Sequence, residues 1–156
     1  MSEPHADLTF RTLEPGDEGA DAALLRGWLE GLARGFHDGR NDQAEFDRWR
    51  RYAGRDGAVV RGAWPTARVA DGTLPVGTFA SWAGELNVGG GSTLGLHMIS
   101  DVTVAPTHRR QGLLRRLMTE DLDHALAQGR PLAALTATEG SIYGRFGFGP
   151  AVRGRR

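Results

Sequence analysis

The chain has 156 residues, which is enough for one domain with a hydrophobic core, and we expect one domain over residues 1–156. Its 19 basic and 19 acidic residues cancel, so its overall charge excludes binding to nucleic acid or an acidic membrane by bulk electrostatics. The absence of cysteine excludes disulfides, thiolate metal sites and a cysteine nucleophile, and we expect no metal. No secretory signal opens the sequence, and no apolar run approaches the roughly 18 residues of a membrane span, so we expect a cytoplasmic protein.

The first third of the sequence predicts one strand and two helices. The alternation in "LTFRTL" (8–13) is typical of a short strand. Leucines and a tryptophan recur at helical spacing from Ala20 to Arg34, which predicts an amphipathic helix. A second helix is predicted over 43–53, where three aromatic residues fall at or near one helical face.

The middle of the sequence predicts two strands separated by turns. "DGAVVRGAW" (56–64) predicts a strand, and a turn-rich segment from Pro65 to Pro75 follows it. "VGTFASWAGELNV" (76–88) predicts the next strand, and "GGGST" (89–93) predicts a flexible loop.

The last third predicts a strand, a helix and a buried strand. The strand covers 96–106, and the helix runs from about 112 to 128 with a leucine-rich stripe. Gly129 and Pro131 then end the helix. The apolar run "LAALTAT" (132–138) is typical of a strand that is buried on both faces. The order β, α, α, β, β, β, α, β predicts an α/β domain with a mixed sheet.

The junction "THRRQGLL" (107–114) joins the strand to the long helix, and it predicts an anion site. Helix N-termini carry free backbone N–H groups and a positive dipole end, and Gly112 lets a large anion approach the backbone closely. Arg109 and Arg110 can pair with phosphate oxygens. The alternative is a solvated turn, which a lone arginine pair would favour. The chain contains neither the GxxxxGK[ST] loop of nucleoside-triphosphate proteins nor the GxGxxG dinucleotide fingerprint.

This junction resembles the loop that binds the pyrophosphate of acetyl-coenzyme A in the GNAT N-acetyltransferase superfamily. That superfamily usually has glycine or alanine where this chain has Leu114. The stretches "VTVAPTHRRQGLLRRLM" and "EGSIYGRFGFGPA" are more narrowly similar to the first domain of the Eis (enhanced intracellular survival) acetyltransferases, in which a leucine there is ordinary. The likeness extends more weakly through "RGFHDG" and "FDRWRR" and covers essentially the whole chain.

The resemblance implies a GNAT fold whose central strand, 96–105, splays from the strand 132–138 to admit acetyl-coenzyme A. It implies that the backbone groups of Val102 and Val104 bind the pantetheine arm, while the valine side chains serve equally well as core. It further implies that the pyrophosphate is bound by the junction residues Arg109, Arg110, Gln111, Gly112, Leu113 and Leu114.

The resemblance implies that Tyr143 is the general acid, which protonates the coenzyme A thiolate as it leaves. A tyrosine, with a pKa of about 10, is protonated at neutral pH and can donate to a thiolate whose pKa is about 8.5. The alternative is a tyrosine that packs the loop beside Phe146 and Phe148. Arg145 and Glu139 are interpreted as residues that lock this loop.

On the amine side, Phe36, Asp38 and Trp49 align with positions that line an acidic, aromatic pocket in the family. A carboxylate beside aromatic faces suits a cation. The alternative places Phe36 and Trp49 in the core and Asp38 in a turn. The acceptors implied are aminoglycosides, polyamines or lysine side chains, attacked directly in a ternary complex. His37 and His108 have no partner pattern for a metal or a catalytic triad.

The chain departs from the family at its end. Eis-like proteins are much longer, and we expect this chain to be a fragment or a short product that lacks the last strands of its sheet. The general base of the family, a distant terminal carboxylate, is then missing as well. The alternative function is therefore a non-catalytic acyl-coenzyme A binding or assembly module. The resemblance also implies a homo-oligomer for the full-length form.

Overall fold

A computed structural model describes residues 5–68, 74–137 and 139–152. Five strands and three α-helices occur in these residues, and their order is the predicted one. Among the described residues, no helix combines the length and the apolar character that crossing a membrane requires. In chain order the elements are β1 (Leu8–Leu13), α1 (Ala20–Phe36), α2 (Gln43–Arg55), β2 (Val59–Pro65), β3 (Gly77–Gly89), β4 (Ser92–Val104), α3 (Leu113–Ala127) and β5 (Leu132–Leu135).

The five strands form one mixed sheet in the order β1-β2-β3-β4-β5. Strands β1 to β4 pair antiparallel, whereas β4 and β5 pair parallel. A parallel pair requires a crossover, and α3 supplies it. The predicted α/β class with a mixed sheet is confirmed.

The predicted flexible loop "GGGST" (89–93) is wrong, because β3 and β4 form one long hairpin there. Gly89 pairs with Ser92, and Leu86 stands opposite Leu94. Gly89, Gly90 and Gly91 have φ values of 88°, 62° and 78°, so the glycines allow a tight turn that other residues rarely adopt. Glycines that suggested flexibility therefore fix the turn.

Two further segments differ from the prediction or lie partly outside the described residues. Strand β5 ends at Leu135 rather than at 138, and residue 138 lies outside the described residues. In the predicted turn from Pro65 to Pro75, Thr66–Arg68 forms a short 3-10 helix, while 69–73 also lie outside them.

Apolar clusters cover both faces of the sheet. One cluster packs α3 against the sheet and includes Phe79, Ile99 and Met118. The other packs α1 and α2 against the opposite face and includes Trp28 and Trp64. With both faces covered, the stretch of β4 beyond Ile99, which β5 leaves unpaired, stays open at the edge of the sheet.

A buried polar network lies between α3 and the sheet. Asp121 of α3 is fully buried and forms an ion pair with Arg61 of β2. It also accepts hydrogen bonds from Ser81 Oγ at 2.6 Å and His97 Nε2 at 2.5 Å. Arg130 lies 2.9 Å from His97 Nδ1. Since arginine can only donate, Nδ1 accepts and the ring hydrogen is on Nε2, facing Asp121.

A β-bulge interrupts β4 near its carboxyl end. Thr78 pairs with Thr103 and Ala80 with Ser100, so β4 carries one extra residue at this point. Asp101 occupies the bulge with a φ of 58°, in the left-handed region that few non-glycine residues adopt. The hydroxyl of Thr78 donates to the backbone carbonyl of Asp101 at 2.7 Å and holds this conformation.

Strand β5 ends before the bulge in β4. The two strands pair in parallel from Leu96 to Ile99 on β4 and from Leu132 to Leu135 on β5. Strand β4 continues alone on this side to Val104. The prediction that these two strands are neighbours is confirmed, but β5 is shorter than expected, and β4 is left without this partner because β5 ends rather than because two long strands splay.

Candidate active site

A cavity of about 1120 Å³ lies beside β4 beyond the point where β5 ends. Its floor is the stretch of β4 from Ile99 to Val104. The N-terminus of α3 forms one wall, and the segment after β5, from Glu139 to Phe146, forms the other. The cavity is therefore built where a parallel pair stops pairing and a helix begins.

The wall formed by α3 has the features of an anion site. Gly112 caps the helix with a φ of 85° and has no side chain that could satisfy the first-turn N–H groups. Leu113 is buried and anchors the first turn in the core, while Leu114 and Arg115 also line the cavity. Free N–H groups and the positive end of the helix dipole therefore meet the cavity at one place.

The turn before α3 is held by hydrogen bonds to its own backbone. Gln111 Nε2 donates to the carbonyl of Thr107 at 3.1 Å, and Arg109 Nε lies 3.4 Å from the carbonyl of Val104. Arg110 has a φ of 61°, which is unusual for a non-glycine residue. The sequence alone did not indicate this strained turn.

Most of the residues expected to bind the cofactor meet in the cavity. Gln111 is not among the described residues that line it, and its side chain instead braces the turn. The side chains of Val102 and Val104 pack against the α3 core cluster, which is the core role. The role of their backbone groups towards the pantetheine arm stays a prediction. The residues that line the cavity are Val102, Val104, Arg109, Arg110, Gly112, Leu113 and Leu114.

Tyr143 lies in the opposite wall, 8% exposed. Its ring packs edge-on against Phe148, with the ring centroids 6.2 Å apart. Burial raises the pKa of the Tyr143 hydroxyl above its ordinary value, and the charge of Glu139 raises this pKa further. The hydroxyl is therefore held in its protonated form, as a proton donor must be, while the ring also packs the loop.

The loop around Tyr143 consists of two short 3-10 turns, Gly140–Ile142 and Gly144–Phe146. Arg145 Nε donates to the carbonyl of Ile142 at 3.0 Å, which confirms that Arg145 locks this loop. Glu139 is exposed and acts on Tyr143 through its charge.

The three residues expected to bind the amine do not meet in one place. Phe36, at the end of α1, is 50% exposed and lines the cavity. Asp38 and Trp49 are not among the described residues that line it. Trp49 instead stacks between Trp28 and Phe46, with centroid distances of 5.5 and 6.1 Å, as a core residue would.

Asp101 is an acidic residue on the cavity floor that no motif in the sequence indicated. Burial raises the pKa of its carboxyl group, and the hydroxyl of Ser100, which donates to Oδ1 at 3.2 Å, opposes that shift only in part. The only signal in the sequence was one aspartate inside the apolar run "ISDVTV".

The charged groups of the cavity divide largely by sign, except that the cation Arg145 lies on the same wall as Glu139. The acidic groups are Asp101 and Glu139, on the floor and the far wall. No set of three or more His, Cys, Asp or Glu residues within the described ranges is arranged to hold a metal ion. The cationic or ionisable groups on the side of α3 are His108, Arg109, Arg110 and Arg115. This distribution of charge suits an anionic ligand end on the side of α3 and a cationic group near the carboxylates.

Comparison with known proteins identifies a family and several relatives. The family model of the acetyltransferase (GNAT) domain matches residues 19–151. An uncharacterized N-acetyltransferase of Streptomyces griseus is 41% identical over 145 residues, which are 93% of this chain and 32% of the relative. N-acetyltransferase Eis of Mycobacterium tuberculosis is 46% identical over 106 residues, which are 67% of this chain and 25% of the relative. The chain thus spans about a third or less of these relatives.

The fold also matches solved structures. A crystal structure of an acetyltransferase from Trypanosoma brucei superimposes with a TM-score of 0.68 at 22% identity, covering 96% of this chain and 98% of that one. At this identity the likeness concerns the fold alone. The predicted GNAT fold is confirmed by the family match and by this superposition.

Proposed function

Because the chain belongs to the acetyltransferase (GNAT) domain family, we propose that it transfers an acetyl group from acetyl-coenzyme A to a primary amine. The observation that carries the proposal is one cavity that joins the N-terminus of α3 to the hydroxyl-bearing Tyr143. One wall can bind a pyrophosphate, and the other can supply a proton to a leaving thiolate. An acyl-coenzyme A needs both at the two ends of its pantetheine arm.

The residues present fit acetyl-coenzyme A. Gly112, without a Cβ and at a φ of 85°, leaves the backbone of α3 open to the pyrophosphate. Arg109 and Arg110 are exposed at the same corner and supply charge-assisted hydrogen bonds. The edge of β4 that β5 leaves unpaired offers the backbone groups of Val102 and Val104 to the amide groups of the pantetheine arm.

With Tyr143 as the general acid, every bond and every proton of the transfer is accounted for. The neutral amine attacks the thioester carbonyl, the C–N bond forms and the C–S bond breaks. Tyr143 gives its proton to the departing thiolate, and the proton lost by the acetylated nitrogen returns the phenolate to its neutral form. The acetyl group passes directly to the amine in a ternary complex, since the chain has no cysteine to carry it.

The acceptor belongs to the aminoglycosides, polyamines or lysine side chains. The likeness to Eis over two thirds of the chain supports an Eis-like acceptor site. Phe36 contributes an aromatic face at the mouth of the cavity. Asp38 and Trp49 do not line the cavity, so they contribute to acceptor binding only indirectly. Asp38 follows the end of α1, and Trp49 packs α1 against α2. A cytoplasmic location and a homo-oligomer of the longer form complete the proposal.

A thiol-release assay tests the function. The chain is mixed with acetyl-coenzyme A and a panel of kanamycin, spermidine and a lysine peptide, and free coenzyme A is measured with a thiol reagent. Calorimetry with coenzyme A gives the affinity separately. Amine-dependent release supports the transferase. Binding without any amine-dependent release contradicts it and favours the binding or assembly module.

A further inference from the structure

The floor of the cavity carries a carboxylate, Asp101, that neither the pyrophosphate site nor the proton donor Tyr143 uses. Asp101 sits at the β4 bulge, between the part of the strand that pairs with β5 and the two valines proposed to bind the pantetheine arm. Its left-handed backbone is held by the hydroxyl of Thr78. A half-buried carboxylate in a strained backbone position is costly to the fold, and such groups cluster at functional sites.

We propose that Asp101 is the general base that takes the proton from the acceptor ammonium before the amine attacks. This inference rests on the proposed transfer reaction in the same cavity. An ammonium with a pKa of about 10.4 cannot attack, so a transferase that acts at neutral pH must remove its proton. Asp101 is the carboxylate beside the stretch of β4 where the acetyl end of the pantetheine arm must lie if the pyrophosphate is at α3.

The other charged groups around the cavity do not suit this task. His108, Arg109, Arg110 and Arg115 line the α3 side, where the pyrophosphate is expected. Arg145 is bound to its own loop, and Tyr143 has the opposite role of donor. Glu139 is a carboxylate, but it is exposed to solvent, whereas Asp101 is half-buried on the floor.

The protonation state follows from burial. Burial raises the pKa of Asp101, which makes its carboxylate a stronger base than an ordinary aspartate. The proton moves from R–NH₃⁺ to the Asp101 carboxylate, and the neutral amine forms the C–N bond while the C–S bond breaks. Asp101 then releases its proton to solvent. One proton is released per turnover, as the overall reaction requires.

The test compares Asp101→Asn with Asp123→Asn, the same chemical change at an exposed position of α3. Asparagine tolerates a left-handed φ and keeps the volume of the side chain, so the bulge is preserved. We expect kcat of Asp101→Asn to fall on the order of 10²–10⁴-fold, with the affinity for coenzyme A unchanged. We expect kcat of the wild type to fall towards low pH as Asp101 becomes protonated, and we expect Asp101→Asn to lose that dependence. Asp123→Asn should behave as the wild type.

A second variant tests the same role without relying on Asp101→Asn alone. Asp101→Gly also accepts the positive φ and leaves space for a small base. Added formate should restore part of its activity, because formate can accept the proton where the side chain is missing. Neither a packing role nor a purely conformational role predicts that rescue.

The possible results distinguish a failure of the Asp101 proposal from a failure of the proposed acetyl transfer. If the wild type transfers acetyl groups and Asp101→Asn does so at a similar rate with the same pH profile, the base is overturned and the transferase stands. Loss of activity in Asp101→Gly without formate rescue also overturns it. If the wild type releases no coenzyme A with any amine, the proposed transfer fails, and the base fails with it.

Discussion

The substitution Asp121→Asn should destabilise the fold strongly. Asp121 is fully buried and faces Arg61, which is 8% exposed, and it accepts hydrogen bonds from Ser81 and His97. Asparagine has nearly the same shape, so no cavity forms. The variant removes the negative charge and replaces one acceptor oxygen with an NH₂ donor that faces other donors. It also leaves the guanidinium of Arg61 charged and nearly out of water.

The expected magnitude follows from that unpaired cation. Breaking a buried ion pair by removing one partner costs about 3–5 kcal/mol, because the remaining charge stays buried. For a chain of this size each kcal/mol lowers Tm by about 2–4 °C. Asp121→Asn should therefore lower Tm by about 6–20 °C and the free energy of unfolding by about 3–5 kcal/mol.

The assay is urea and thermal unfolding followed by circular dichroism. The matched control is Glu120→Gln, one residue earlier on α3, where Glu120 pairs with Arg116 at 2.8 Å on the surface. An exposed pair contributes less than about 1 kcal/mol, so the control should unfold almost as the wild type does. Equal stabilities for the two variants would refute the argument that the buried pair holds α3 on the sheet.

Three further variants test the cavity. The double variant Arg109→Ala/Arg110→Ala should weaken coenzyme A binding roughly 10- to 100-fold in a calorimetric titration. Its Tm should not fall, since both side chains are exposed. Undiminished affinity would mean that the two arginines belong to a solvated turn. Tyr143→Phe should lower kcat on the order of 10²–10⁴-fold and leave cofactor affinity unchanged, and wild-type turnover where chemistry limits the rate would leave the ring as packing. Asp101→Asn should be more stable than the wild type at pH 7. The folded-state pKa of Asp101 is raised, so the wild type loses stability as pH rises from the unfolded pKa, near 3.9, through the folded one. The stability gain should vanish below about pH 3, and a gain that does not depend on pH would contradict the assignment.

The order of the elements and the anion site could be predicted because their signals are local. Helical spacing in α1 and α3 and strand patterns between them depend on neighbouring residues alone. The junction around Gly112 needed only a strand, two arginines and a helix start in sequence. The site could therefore be located before its geometry was known.

The features that the sequence did not reveal depend on distant residues or on backbone conformation. Asp121 meets Arg61 and His97 across separations of 60 and 24 residues, which no local pattern encodes. The bulge at Asp101 arises from the register of β4 on β3. Trp49 has the residue type of an acceptor pocket, but its neighbours across α1 and α2 place it in the core.

A crystal structure of the chain with bound coenzyme A would show whether the cavity is the cofactor site. We expect the pyrophosphate on the backbone N–H groups that follow Gly112, with the pantetheine arm along Val102 and Val104. The sulfur of coenzyme A should then lie within reach of the Tyr143 hydroxyl, with Asp101 on the same side. Coenzyme A bound elsewhere, or with its sulfur turned away from Tyr143, would overturn the proposed site.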